Sequence, residues 1–325
     1  MKKWARVVGL ILLIVLLLQL DVGALLVALR DIDVCLLIWA VLLNVPMLVV
    51  KTVRWKAVLR TQGVDYAISK AALAYVGSIY LGLVTPGRVG EFAKALHVSQ
   101  DCDIPIGRSL ASALVDRLFD LYALLVVGGT ALLLLSAERV YFTVLLVSVV
   151  LLLTSPLVLL LHDGAFGCVR VWGSRLRLLE PLFSPGSWFL ELREGLLQLT
   201  LSCLWIASGL TVVAYVLFFS QCYLLALALG IPAGFFPISF SVALGSLATL
   251  LPISISGLGT REAAIVAYLG TAGVPEEVAL GFSLTVFATF YLAGGLMGAI
   301  SWWIKPVEVR QLSRMTRGKS SSVVE

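Results

Sequence analysis

The side chains that could do chemistry in this chain are ionisable residues set inside long apolar stretches. Arg88, Glu91 and Lys94 lie in and after a break reading Thr85-Pro86-Gly87-Arg88-Val89-Gly90-Glu91. Asp116, Arg117 and Asp120 open an apolar run that continues to Leu135. Arg261 and Glu262 end a second break, which begins at Leu251-Pro252 and closes with Ser256-Gly257-Leu258-Gly259-Thr260-Arg261-Glu262. A charge at membrane depth is costly, so such residues pair with each other or serve a pathway. Asp116 and Asp120, four apart, share one helix face, while Arg117 points about 100° away, aiming two carboxylates at one neighbour and a guanidinium at another.

The breaks themselves suggest anion binding. A helix restarting after Pro86 or Pro252 presents unpaired N–H groups and its positive dipole end. Gly87, Gly90, Gly257 and Gly259 let a ligand approach the backbone closely. With Arg88 and Arg261 beside them, the two tips would form facing positive sites for a phosphate or carboxylate. A plainer alternative has Glu91 and Glu262 as helix caps, with Arg88 pairing an aspartate of the next span to hold the hairpin. Two separate breaks, each with Pro, Gly, Arg and Glu, favour the binding alternative, because a continuous apolar helix would pack more simply. His97 and His162 are the only histidines, far apart in sequence. The five cysteines form no CxxC, and no GxSxG, HExxH or Walker A pattern occurs. No metal or other cofactor is expected.

The elements that must position these residues are transmembrane helices. Of 325 residues, 60% are apolar and 13% charged, and the mean hydropathy is +1.03. That excludes a soluble enzyme, a disulfide scaffold and a disordered chain. Six stretches are long enough to cross a bilayer: 4–22, 34–50, 109–135, 140–161, 200–229 and 277–304. Asn44 and Pro46 predict a kink in the second. The stretches 71–98 and 236–272 are interrupted by the two breaks, and each half is too short to cross alone. Unwound backbone at membrane depth is tolerated only against protein or a wet cavity, so both read as re-entrant helical hairpins.

The expected fold is therefore an all-α polytopic membrane protein with six full spans and two re-entrant hairpins. Residues 1–135 and 136–305 repeat the same order (span, span, hairpin, span) with opposite orientation, an inverted repeat of transporter type. With both termini cytoplasmic, the basic 51–70 loop, including Lys51 and Arg54, falls inside, and so do the 162–199 segment and the tail; only Arg30 and Arg139 fall outside. The net charge of +5 belongs to this bias and not to nucleic-acid binding. Residues 162–199 predict one or two amphipathic helices on the inner leaflet, and 306–325 a disordered basic tail.

At the two tips and at Asp116-Arg117-Leu118-Phe119-Asp120 the chain resembles the membrane domain of bacterial lysylphosphatidylglycerol synthases and their stand-alone flippase-like relatives. The resemblance covers roughly residues 1–305. It implies movement of a phospholipid or lipid-linked anionic headgroup between leaflets without ATP, in a prokaryotic plasma membrane. On this lipid-moving reading Arg88 and Arg261 at the tips contact the headgroup, Glu91, Asp116, Asp120 and Glu262 orient the arginines or carry protons, and Arg117 belongs to the same substrate-binding set. The synthases carry a soluble aminoacyl-transferase domain after the membrane part; here the sequence stops about 20 residues after the last span, so the chain is expected not to be an enzyme. Residues 283–292 carry no charge, which departs from a family pattern with an arginine in the final span. Two alternatives are a non-catalytic partner of a lipid-modifying or glycosyl-transferring enzyme, docking through 162–199, and a small-anion carrier.

Overall fold

A computed structural model describes residues 32–135, 160–175, 180–184, 186–250 and 259–304, with isolated positions between 143 and 158. Among the described residues every regular element is helical. The expected span 4–22, most of 140–161, the tail 306–325, and Pro252 and Gly257 lie outside them.

Helix α1 (Val34–Leu42) starts at Asp33, whose carboxylate accepts from Cys35 N and Leu36 N at 2.8 and 3.2 Å. A single turn at Leu43 joins it to α2 (Asn44–Thr61). The kink follows from Pro46, which has no N–H to offer the carbonyl four residues back. Asn44 Nδ2 donates to Val41 O at 3.0 Å across the break. α2 then runs eleven residues beyond the expected span end at 50, so Lys51 and Arg54 stand on a helix and not in a loop. Its buried positions, Asn44, Met47, Leu48, Thr52, Trp55, Val58 and Leu59 together with Arg54, keep a three-to-four residue spacing straight through the charges. Together α1 and α2 form one apolar rod of 28 residues.

The first broken pair is α3 (Ile68–Val84), a 3₁₀ turn (Pro86–Phe92) and α4 (Ala93–Cys102). Thr85 is extended and ends α3. Its Oγ1 donates to Leu81 O at 2.9 Å and accepts from Gly90 N at 2.7 Å, which folds the tip back onto the helix it left. A Cβ on Gly90 would lie 2.2 Å from Leu81 O, so only glycine fits there. The long helix α5 (Ile106–Leu135) follows after a tight turn.

Beyond it come α6 (Asp163–Arg175), α7 (Glu180–Phe183) and α8 (Trp188–Leu197). Within the 162–199 segment α8 packs along α5, burying Leu192 and Leu196 with Ala111, Val115 and Val58. Glu191 accepts from Gly107 N at 3.2 Å, satisfying one N–H at the start of α5. The reason is that the apolar face of α8 is matched by small residues on α5, which allow close approach.

Further along, a long helix α9 (Leu201–Ala228) precedes α10 (Phe235–Ala248) and α11 (Thr260–Thr271). Gly259, at φ +86, caps α11, and Glu262 accepts from Gly259 N at 2.5 Å. The closing rod is α12 (Glu276–Phe287), a π turn (Ala288–Leu292) and α13 (Ala293–Ile304). Among the described residues four helical rods are long and apolar enough to cross a membrane: Val34–Thr61, Ile106–Leu135, Leu201–Ala228 and Glu276–Ser301. The broken pairs supply the shorter apolar helices Ile68–Leu83 and Phe235–Ala248.

The first helix of each pair packs on a distant rod, α3 on α13 and α10 on α5, while the second packs on the rod that follows it, α4 on α5 and α11 on α12. α9 runs antiparallel to α1 and α2: Asp33 N donates to Ala228 O at 2.9 Å, while Arg54 reaches Thr211 at 3.0 Å.

Candidate functional site

α2, α5 and the first tip meet around a buried ion-pair network. α5 presents Asp116 and Asp120 to α2, as their four-residue spacing requires. Arg54 donates from Nε to Asp116 Oδ1 at 2.8 Å, from Nη2 to the Asp116 carbonyl at 3.1 Å, and from Nη1 to Thr211 Oγ1 at 3.0 Å. Its Nη2 is also 2.9 Å from Asp120 Oδ1. Lys94 of α4 pairs with Asp116 Oδ2, to which Tyr75 donates at 3.1 Å. The Lys94 ammonium lies 4.2 Å from the Tyr75 ring centroid and 5.4 Å from that of Trp55. This inner layer is dry: the side chains of Arg54, Lys94 and Asp116 are 0% exposed.

An outer layer faces a cavity. Lys51 donates to Asp120 Oδ1 at 3.1 Å. Arg117, one position on from Asp116, turns to the first tip and pairs with Glu91, and its Nη1 is 4.0 Å from Asp120 Oδ2. Arg88 Nε lies 3.0 Å from Glu91 Oε1. Cations and carboxylates thus alternate along one wall: Lys51, Asp120, Arg117, Glu91, Arg88. Lys51, Arg88 and Arg117 keep 17%, 22% and 20% of their side chains exposed, whereas Glu91 keeps 2%, so the cations are the more open to the cavity and Glu91, also on its wall, is set more deeply. Glu91 is held there by Gly82, where a Cβ would come within 2.3 Å of Glu91 Cγ. Arg88 adopts φ 59, a left-handed conformation unusual for a residue with a side chain.

The cavity has a volume of about 350 Å³. It is amphipathic along its length. Lys51 sits level with Asp120 and Arg54 with Asp116, so α2 and α5 run antiparallel. The cavity wall on α2 therefore passes from Lys51 through Leu48 and Met47 to Asn44, while that on α5 passes from Leu114 past Arg117 and Asp120 to Leu121 and Leu124. The charged end gives way to an apolar end over the rise from Lys51 to Asn44, about 10 Å. Phe218 and Phe290 line the cavity too, with ring centroids 4.6 Å apart in an edge-to-face pair. Asn44 Nδ2 also reaches Thr289 O at 3.3 Å, joining the kink of the first rod to the π turn of the last.

Of the residues singled out from sequence, Arg88, Glu91, Arg117 and Asp120 line this one cavity, and Asp116 lies directly behind it. Pro86, Gly87 and Gly90 form the tip that presents Arg88. Arg261 and Glu262 do not line it. They pair with each other, and the Arg261 guanidinium lies 4.5 Å from the Phe287 ring centroid, 2% exposed. The second broken pair reaches the cavity through Ser246 and Leu250 instead. Facing arginines from the two tips are thus not what the geometry brings together. Lys51 and Arg54 fall in a loop when hydropathy alone sets the end of the span; the signal that places them on a helix is the unbroken spacing of Met47, Leu48, Thr52, Trp55 and Leu59.

These features define a class: a helical membrane protein whose two broken helix pairs flank an amphipathic, cation-lined cavity. The chain belongs to the lysylphosphatidylglycerol synthase transmembrane-region family, whose sequence model matches residues 4–298. No curated protein and no solved structure matches it.

Proposed function

We propose that the protein carries an anionic lipid headgroup between the two leaflets of a prokaryotic plasma membrane, without ATP and without covalent chemistry. One observation carries this: a single cavity has Lys51, Arg88 and Arg117 at one end and Leu121, Leu124 and Phe218 towards the other. An anion held at the first end can keep the root of its acyl chains at the second, so the lipid need not leave an apolar environment entirely. A small water-soluble anion would gain nothing from the apolar end.

The proposed topology has six spans, two re-entrant hairpins and both termini cytoplasmic. Its inverted repeat is supported by the antiparallel course of α9 against α1 and α2, the elements it would correspond to. The matching contacts of α3 on α13 and α10 on α5, and of α4 on α5 and α11 on α12, support it too. A docking role for 162–199 has less support, because α8 buries its apolar face against α5.

Purified protein in liposomes should move a labelled anionic phospholipid between leaflets, and Arg117→Gln should reduce the rate strongly while the protein stays folded. Equal transfer by wild type, variant and protein-free liposomes would overturn the proposal.

A further inference from the structure

The ion-pair network has a charge excess. Its ion pairs join five cations, Lys51, Arg54, Arg88, Lys94 and Arg117, to three carboxylates, Glu91, Asp116 and Asp120, leaving two positive charges over among the described residues. The segment 251–258, next to the cavity-lining Leu250, contains no ionisable residue in its sequence and cannot offset that excess. Unbalanced charge in a low-dielectric setting is costly, so a ligand of opposite charge is favoured in proportion to the charge it brings. Three of the cations face the cavity from one wall, spaced by single carboxylates.

From this we infer that the site selects a phosphomonoester dianion over a phosphodiester monoanion. The inference rests on the anionic-lipid reading and narrows it. A phosphomonoester carries a charge of −1.5 to −2 at neutral pH and three terminal oxygens. It matches both the excess of two and the three cavity-facing cations Lys51, Arg88 and Arg117, one oxygen to each. A phosphodiester offers one charge and two free oxygens, so one of the three cations gains no ligand oxygen and half the excess remains. The arginines take planar, charge-assisted contacts and Lys51 a point contact. The apolar end then favours the dianion when it is carried on a lipid such as a phosphatidate over the same dianion free in water.

The test uses the full chain in a neutral detergent above about pH 7, where the second phosphate proton is largely off. Ligand-induced rises in Tm are titrated with dihexanoyl phosphatidate, dihexanoyl phosphatidylglycerol and inorganic phosphate. Phosphatidate is expected to bind at least about tenfold more tightly than phosphatidylglycerol. Inorganic phosphate is expected to bind more weakly than phosphatidate. Equal binding of the two lipids overturns the dianion selection and leaves the anionic-lipid reading standing. Absence of binding by either lipid overturns both. Phosphate binding as tightly as phosphatidate supports the dianion selection and overturns the lipid reading.

Two variants add an internal control. Lys51→Met lowers the excess by one and Glu91→Gln raises it by one. The phosphatidate-to-phosphatidylglycerol preference should fall in the first and rise in the second. A merely structural role for these residues does not move the preference in opposite directions, and an unmoved preference in Glu91→Gln, whether or not Lys51→Met folds, overturns the inference.

Discussion

Replacing Arg88 by glycine separates the folding of the first tip from its chemistry. Arg88 stands at φ 59 in the 3₁₀ turn, a conformation that costs an L-residue roughly 1–2 kcal/mol and glycine almost nothing. Against that gain, glycine loses roughly 0.5–1 kcal/mol more chain entropy on folding. The 3.0 Å approach to Glu91 is also lost, but buried Glu91 keeps its pair with Arg117 and is not left uncompensated, so the loss is about 1 kcal/mol. The sum puts the variant within about 1 kcal/mol of wild type. Binding behaves otherwise, because one of the three cavity-facing cations disappears. A charge-assisted hydrogen bond of about 1.5–3 kcal/mol corresponds to a roughly ten- to hundredfold weaker affinity for an anionic lipid. The measurement pairs thermal unfolding in one detergent with titration by a short-chain anionic phospholipid. A fall in Tm of more than about 5 °C would refute the strain account. Undiminished affinity would remove Arg88 from the headgroup contacts.

Other perturbations probe the layers behind and around the cavity. Asp116→Asn leaves Arg54 and Lys94 facing each other in a dry site and should destabilise by about 3–5 kcal/mol, with Arg54→Met in the same chain recovering part of it; chemical or thermal unfolding of the single and double variants checks this, and no recovery counts against the pairing. Gly90→Ala forces a methyl onto Leu81 O and should cost about 1–3 kcal/mol, whereas Val89→Ala, at a position 64% exposed, should leave Tm nearly unchanged; equal effects would deny the close packing of the tip. Leu121→Trp narrows the apolar end of the cavity and should slow lipid transfer in liposomes about tenfold or more while sparing the ion pairs; unchanged transfer would place the acyl chains elsewhere.

The four long rods, the two breaks and the clustering of charge near them are local properties, so they are legible in the sequence. Long apolar runs must be helical in lipid, and Pro86 or Pro46 interrupts a helix wherever the chain folds. Even the opposed directions of Asp116 and Arg117 follow from helix geometry alone. The boundary of α2 was misplaced for a physical reason. Hydropathy counts Lys51 and Arg54 as solvent-seeking, but both are satisfied by Asp120 and Asp116 from a helix about sixty residues away in sequence. The same difficulty hid the docking of α8, whose amphipathic face suits a leaflet or a protein neighbour equally well.

What the sequence determined by itself is the solvent of this protein, its helical rods and the places where they break, because each follows from the composition of a short window. Which cations meet which carboxylates was decided only by the packing of α2, α4 and α5 with the first tip. That packing turned Arg88 and Arg117 toward a cavity and set Arg261 against Phe287. The excess of positive charge around the cavity is a sum over elements far apart in the chain, and no window of sequence contains it.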